Sequence, residues 1–178
     1  MSPLSAVAYP DTDPGPVEGL TPRLDALVRH VGWALELAND GYWFWDLESP
    51  EVEYMSPGFW ELFGYSPDEM EHSPSAWQGI IDPTDRVLAV ELFEEHIRTK
   101  GEKPYRILVC YRHKDGHDVW VICRGRAYFD RAGNPLVMVG CHHDVSHTVQ
   151  DRIAAEGRLV DIELASQDLR DLLRAAIG

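Results

Sequence analysis

The side chains of this chain best suited to chemistry are its histidines, cysteines, tryptophans and one arginine. Cys141-His142-His143 is followed by His147, all side chains that ligate metals. On a strand, consecutive side chains point to opposite faces, so Cys141 and His143 share a face that His142 cannot join. With no second cysteine pair nearby, these residues do not make a structural zinc site. Trp43, Trp45, Trp77 and Trp120 offer flat apolar surfaces that either stack on a bound ring or fill a thick core. Arg124 shares a strand phase with Trp120 and Ile122. A guanidinium aimed into an apolar cavity calls for an acidic partner or an anionic ligand, whereas at a wet strand end it needs neither.

Catalysis has no comparable support. The chain contains no glycine-rich phosphate loop, no Gly-x-Ser-x-Gly and no His-Glu-x-x-His, and its carboxylates are scattered rather than paired in apolar surroundings. No catalytic residue and no metal ligand is assigned, and enzymatic activity is not expected.

Composition narrows the partners. Thirty Asp and Glu against sixteen Lys and Arg give 178 residues a net charge of −14, a field that repels nucleic acid and anionic lipid headgroups. Three cysteines, Cys110, Cys123 and Cys141, fit neither a disulfide framework nor a Cys-x-x-Cys motif, which points to a reducing compartment. No apolar run approaches the roughly 20 residues of a membrane helix, and no basic region precedes an apolar stretch at the N-terminus. A cytoplasmic, globular protein is expected.

The elements that must position these residues are legible in the hydrophobic pattern. Residues 1–20 hold four prolines among acidic residues and glycines and are expected to be a disordered leader. Thr21-Pro22 then caps a helix over about 21–39, with Leu24, Leu27, Val28, Val31 and Leu35 in one apolar stripe and Asn39-Asp40-Gly41 as a left-handed stop. Tyr42–Leu47 is a continuous aromatic strand and Glu51–Met55 its hairpin partner. An all-apolar strand needs cover on both sheet faces, and the helix over 21–39 is the obvious cover for one. Short helical pieces broken by proline and glycine follow from Ser56, the longest running from Asp82-Pro83 towards Gly101. Three strands come next: 105–112, 118–129 and 135–144, separated by Lys114-Asp115-Gly116 and the turn over 130–134. From residue 147 a last helix carries Ala155, Leu159, Ile162, Ser166, Leu169, Leu173 and Ala176 at alternating spacings of three and four, the seam of a coiled coil, the alternative being that the helix folds back on its own sheet. The helical composition of Ala176-Ile177-Gly178 suggests that the chain is cut from a longer protein.

Several words along this order resemble a PAS domain of the subgroup found in bacterial sensor kinases and diguanylate cyclases. They are Trp43-x-Trp45-Asp46, Pro57-Gly58-Phe59-Trp60-Glu61-Leu62-Phe63-Gly64-Tyr65-Ser66-Pro67, Asp82-Pro83-x-Asp85, Arg112-His113-Lys114-Asp115-Gly116, Val119-Trp120-Val121, Asp130-x-x-Gly133-Asn134-Pro135 and Gly140-x-x-x-Asp144-Val145-Ser146. The resemblance implies an α+β PAS fold: a five-stranded antiparallel sheet with a helical crossover over 41–146, flanked by an N-terminal helix over 21–40 and a signalling helix over 147–178. It also implies sensing in a pocket between the sheet and the long helix, for which Trp77, Phe93, Tyr111, Trp120 and Arg124 are the candidate lining. Asp144 and Ser146, at the strand-to-helix junction, are the candidate relay because either can accept hydrogen bonds from unpaired helix N–H groups. The implied partners are a second copy, through the flanking helices, and an effector such as a histidine kinase or a diguanylate cyclase.

Such domains hold haem, flavin, a chromophore, a metabolite or nothing. Flavin-adduct photoreceptors of the LOV type need a cysteine where this chain has Trp77-Gln78-Gly79-Ile80-Ile81-Asp82. Haem needs an axial ligand, and the matching place on the long helix is taken by Val90; His96, flanked by Glu94, Glu95 and Arg98, reads as a surface residue. The expectation is therefore no cofactor, with non-covalent flavin or haem as alternatives, and a ligand-free dimerisation module as the rival to a sensor.

Overall fold

The structure is a computed structural model that describes residues 17–157. The expected leader up to residue 16 and most of the coiled-coil seam, from residue 158 on, lie outside the described residues. Residues 17–20, assigned by sequence to that leader, are held in place instead. Val17 N–H donates to Asp25 and Leu20 N–H to the Val17 carbonyl, and both side chains pack on the core beneath the first helix.

That helix runs as α1 (Pro22–Leu27), a π-helical turn (Val28–Gly32) and α2 (Trp33–Ala38). Thr21 caps it by accepting from Leu24 N–H, and the Thr21 hydroxyl donates in turn to Asp46 at 2.6 Å. Arg23 reaches the same carboxylate at 2.9 Å and also pairs with Glu48. The stop differs from the expectation. Asn39 is extended, with φ −143°, and ends the helix by donating its side-chain amide to the Leu35 carbonyl. The left-handed stop lies at the long helix, where Lys100 (φ 51°) and Gly101 (φ 85°) turn the chain.

Five strands, β1 (Gly41–Asp46), β2 (Glu53–Met55), β3 (Tyr105–Arg112), β4 (Asp118–Phe129) and β5 (Pro135–Asp144), form one antiparallel sheet in the order β2-β1-β5-β4-β3. The sheet has helices on both faces. On the outer face α1 packs on Tyr42, Phe44, Tyr54 and Val137. The start of α6 (Ser146–Gly157) covers Leu108, Cys110 and Trp120 with Val149. On the inner face lie α3 (Pro57–Leu62), α4 (Pro74–Gln78) and α5 (Pro83–Arg98), over Trp43, Ile107, Val109, Val121 and Met138.

The crossover is stitched to the sheet by buried polar groups. Ser56, fully buried, accepts from Tyr42 and Phe59 N–H and so fixes α3 against β1. Asp82 caps α5, accepting from Thr84 and Asp85 N–H, while the buried Asp85 accepts from Cys110 N–H at 2.8 Å and fastens α5 to β3. His96 corrects the sequence reading outright: it is 2% exposed, not a surface residue. Its Nε2 accepts from Ala127 N–H at 3.0 Å and its Nδ1 bonds the Lys103 carbonyl, so the ring joins α5 to the last part of β4 and to the loop that follows α5. Three charged neighbours in sequence cannot reveal this, because on a helix they occupy other faces. Replacing His96 by Ala orphans a buried N–H and a carbonyl. We expect a loss of about 3 kcal/mol in urea denaturation; an unchanged midpoint would remove the ring from the framework.

Candidate functional site

Between the inner sheet face and the helices α4 and α5 is a cavity of about 250 Å³. Period-two alternation decides which side chains reach it. From β1 come Trp43 and Trp45, from β2 Glu53 and Met55, from β3 Tyr105, Ile107, Val109 and Tyr111, from β4 Cys123, and from β5 Met138 and His142. The helices add Trp77, Ala89 and Phe93, and the cavity meets the exposed Val90 and Glu94 of α5 at its rim. Trp45 and Phe93 rings lie 4.7 Å apart, and Trp43 meets Tyr105 edge to face at 6.3 Å. The walls thus combine six aromatic rings with aliphatic and sulfur-bearing side chains.

Two titratable groups in this setting are strongly perturbed. Glu53 is 3% exposed, and its carboxylate receives one hydrogen bond, from Trp77 Nε1 at 2.7 Å. Burial raises its pKa to about 8, the Trp77 bond offsetting only part of that cost. His142, 2% exposed, lies edge to face with Phe59 and has Nε2 3.5 Å from the Tyr111 hydroxyl, while its Nδ1 has no partner. Burial lowers its pKa to about 3, so it is neutral at physiological pH. The Tyr105 and Tyr111 hydroxyls and the Cys123 thiol are pushed upward, again mainly by burial.

Of the five residues expected to line a pocket, Trp77, Phe93 and Tyr111 do meet here. Trp120 and Arg124 do not. Trp120 is buried on the outer face against Leu108, Cys110 and Val149. Arg124 is exposed in a separate outer cleft beside Asn39, Cys141 and His143. Their shared phase is as expected but faces the other way: 119, 121 and 123 point inward, and both phases of β4 are apolar because both faces are covered. Glu53 and His142 were the residues missed. Glu53 lies between Val52 and Tyr54 in a strand whose alternation was readable, and a carboxylate on the covered face of a three-residue strand was the available signal. Cys141 and His143 share the outer cleft and His142 faces the other way, as the alternation requires. Among the described residues no group of three or more His, Cys, Asp or Glu side chains could hold a metal ion.

At the sheet's exit Asp144 accepts from Ser146 N–H at 2.8 Å, the first residue of α6. Ser146 does not bond a helix N–H through its side chain; its hydroxyl accepts from Trp120 N–H of β4 at 2.9 Å. Val145 N–H donates to the Trp120 carbonyl, and Asp40, just before β1, accepts from Asp144 N–H.

Residues 52–142, half of the chain, match the family described as the PAS fold. The chain belongs to the PAS fold family. A sensory box histidine kinase/response regulator from Burkholderia thailandensis is 25% identical and superposes with a TM-score of 0.59, over 72% of this chain and 94% of that one. The N-terminal domain of a diguanylate cyclase with a PAS/PAC sensor from Marinobacter aquaeolei is 19% identical, with a TM-score of 0.53 over 61% of this chain and 96% of the other. A light-oxygen-voltage domain studied with a flavin analogue is 22% identical, with a TM-score of 0.53 over 75% and 97%. Among curated proteins, none matches.

The PAS cavity can be tested against the larger cofactors that this fold accommodates. Its volume lies below the roughly 300–1,000 Å³ of sites that hold drug-sized ligands, and no Lys or Arg lines it. A flavin phosphate or a pair of haem propionates would meet Glu53 and Glu94 instead of cations. His96 has both ring nitrogens engaged away from the cavity, and the adduct cysteine position is filled by the segment from Trp77 to Asp82. These residues do not fit either group.

The perturbed pair also fixes a pH dependence. Unfolded, Glu53 loses its proton near 4.5, whereas folded it keeps the proton up to about 8, so its burial erodes stability as pH rises across that window. His142 acts oppositely: the stability of its neutral form is present above 6.5 and is lost as pH falls towards 3. The two slopes oppose one another between 4.5 and 6.5, leaving Glu53 alone above that range. Glu53→Gln retains an oxygen for Trp77. Relative to wild type its stability should gain about 1–2 kcal/mol between pH 6.5 and 8 in denaturant titrations; a difference independent of pH would place the carboxylate in water.

Proposed function

We propose that this chain is the sensory module of a bacterial signal-transduction protein, binding a small molecule in the cavity and passing the change to α6. In this reading 41–146 is the sensor, 21–40 and 147–178 are flanking helices through which two copies pair, and the effector is a histidine kinase or a diguanylate cyclase. The chain performs no catalysis of its own and works in the cytoplasm, in keeping with a described region in which no helix is long and apolar enough to cross a membrane.

One observation carries the proposal: the strands that wall the cavity also hold the first turn of α6. His142 is in the wall, Asp144 two residues on bonds Ser146, and Ser146 bonds Trp120 on β4, which contributes Cys123 to the same wall. The sensory box kinase and diguanylate cyclase relatives support the choice of effector. Paired copies are supported by Leu37, 84% exposed on α2.

Native mass spectrometry of the purified chain tests this. A dimer releasing a small molecule on denaturation is expected; a dimer whose α6 exchange is indifferent to every molecule that enters it fits the rival, a ligand-free dimerisation module. Ser146→Ala tests the relay itself. Removing the acceptor of Trp120 N–H should speed hydrogen exchange at Trp120 and Val149 about five- to tenfold, the equivalent of ~1 kcal/mol, while β1 and β2 amides stay unchanged. Unaltered exchange at both positions would take Ser146 out of the relay.

A further inference from the structure

We propose that the cavity selects a small aromatic amine: a flat molecule of one or two rings, held among Trp43, Trp45, Phe93 and Tyr105, whose single ammonium group pairs with the Glu53 carboxylate. The inference rests on the reading of the cavity as a ligand site and adds the charge and shape of what enters it.

Charge is decided by the wall. Its two ionisable acids are Glu53 and Glu94, and it contains no Lys or Arg. The other titratable groups facing Glu53 cannot supply a positive charge, since burial keeps the Tyr105 and Tyr111 hydroxyls and the Cys123 thiol protonated and His142 neutral. An anion entering this space would be desolvated beside carboxyl groups with no counter-charge. An ammonium would find at the buried end one carboxyl that forms no ion pair with any described residue. As the ammonium enters, Glu53 releases to solvent the proton that burial otherwise holds on it, and the resulting carboxylate, hydrogen-bonded by Trp77, is buried together with its counter-charge, the arrangement in which burying both charges is tolerated.

Shape follows from the remaining walls. About 250 Å³ is too little for a drug-sized molecule, and the faces presented are those of three tryptophans, two tyrosines and a phenylalanine. Such rings stack on another ring, and their electron-rich faces attract a cation within about 6 Å of the centroid. The acidic Glu94 at the exposed rim draws cations in the same direction. An aliphatic amine would use only the charge, and a neutral ring only the walls.

Isothermal titration calorimetry on the full chain with three probes of one ring system separates these possibilities. The probes are tryptamine, its uncharged counterpart 3-ethylindole, and its anionic counterpart indole-3-propionate. Tryptamine should bind about tenfold more tightly than 3-ethylindole, and the anion should give no heat of binding. Glu53→Gln should abolish the tenfold preference of tryptamine over 3-ethylindole measured on the same variant. Equal affinity for tryptamine and 3-ethylindole, tighter binding of the anion, or a preference that survives Glu53→Gln would each overturn the amine assignment and leave the cavity standing as a ligand site. Silence from all three probes would overturn both. The comparison among probes on the wild-type chain decides the matter even if the variant does not fold.

Discussion

The pairing of β1 with β5 is the contact on which the remaining architecture depends. It sets Gly41 opposite His142 and Asp46 opposite Val137, closing a loop of nearly a hundred residues, the costliest closure in the sheet. Once it forms, α1 and α6 must emerge on the same outer face, and Asp40 can accept from Asp144 N–H at the joint between them. The pairing also needs bare backbone at its centre. A Cβ at Gly140 would overlap the Trp43 indole and fall 2.7 Å from the Arg124 carbonyl oxygen, and one at Gly125 would fall 3.0 Å from the same indole. Trp43 thus lies flat across two strands, which leaves the space beyond it as a cavity instead of a filled core.

Much of this was readable because the local signals agree with one another. The three long strands begin and end where the turn residues place them, Asp82-Pro83 opens the long helix, and Thr21-Pro22 opens the first. What alternation cannot supply is the sign of a face. Val119, Val121 and Cys123 are as apolar as Trp120 and Ile122, since both sides of β4 are covered, so the pattern alone does not say which half faces the cavity. For the same reason Arg124, exposed on the outer side, was read as a probe of the cavity while the buried carboxylate of Glu53 passed unnoticed. His96 was misplaced because its partners, Ala127 and Lys103, are remote or lie past the helix end, and no pattern within a helical window encodes them.

Glu53 is anomalous as an element of structure. A glutamine of similar size would sit in the same wall and accept from Trp77 without a protonation cost. A carboxyl that burial destabilises at neutral pH and that has only the Trp77 bond, where Ser56, Asp85 and His96 are matched to backbone groups of neighbouring elements, is better explained by a partner that enters from outside. The same logic separates it from Asp46, equally buried on the opposite face of β1 but paired with Arg23 and Thr21 within the chain.

A ligand of modest size has enough leverage to matter at the exit helix. The first turn of α6 is fastened by Ser146 on Trp120, by Val145 on the Trp120 carbonyl and by the fully buried Val149. Two hydrogen bonds of ~1 kcal/mol and one buried valine of ~2 kcal/mol put its release near 4 kcal/mol. A ligand present at a hundred times its dissociation constant, and bound by only one of two states, shifts their balance by about 2.7 kcal/mol. The two quantities are of the same order, which is the condition for a population shift and not for a permanent change. A helix fixed by a whole apolar face would be beyond the reach of so small a molecule, and one without these three contacts would have nothing to transmit. The half-polar attachment of the first turn of α6, as the described residues form it, lies between these limits, and it lies on the strands that wall the cavity.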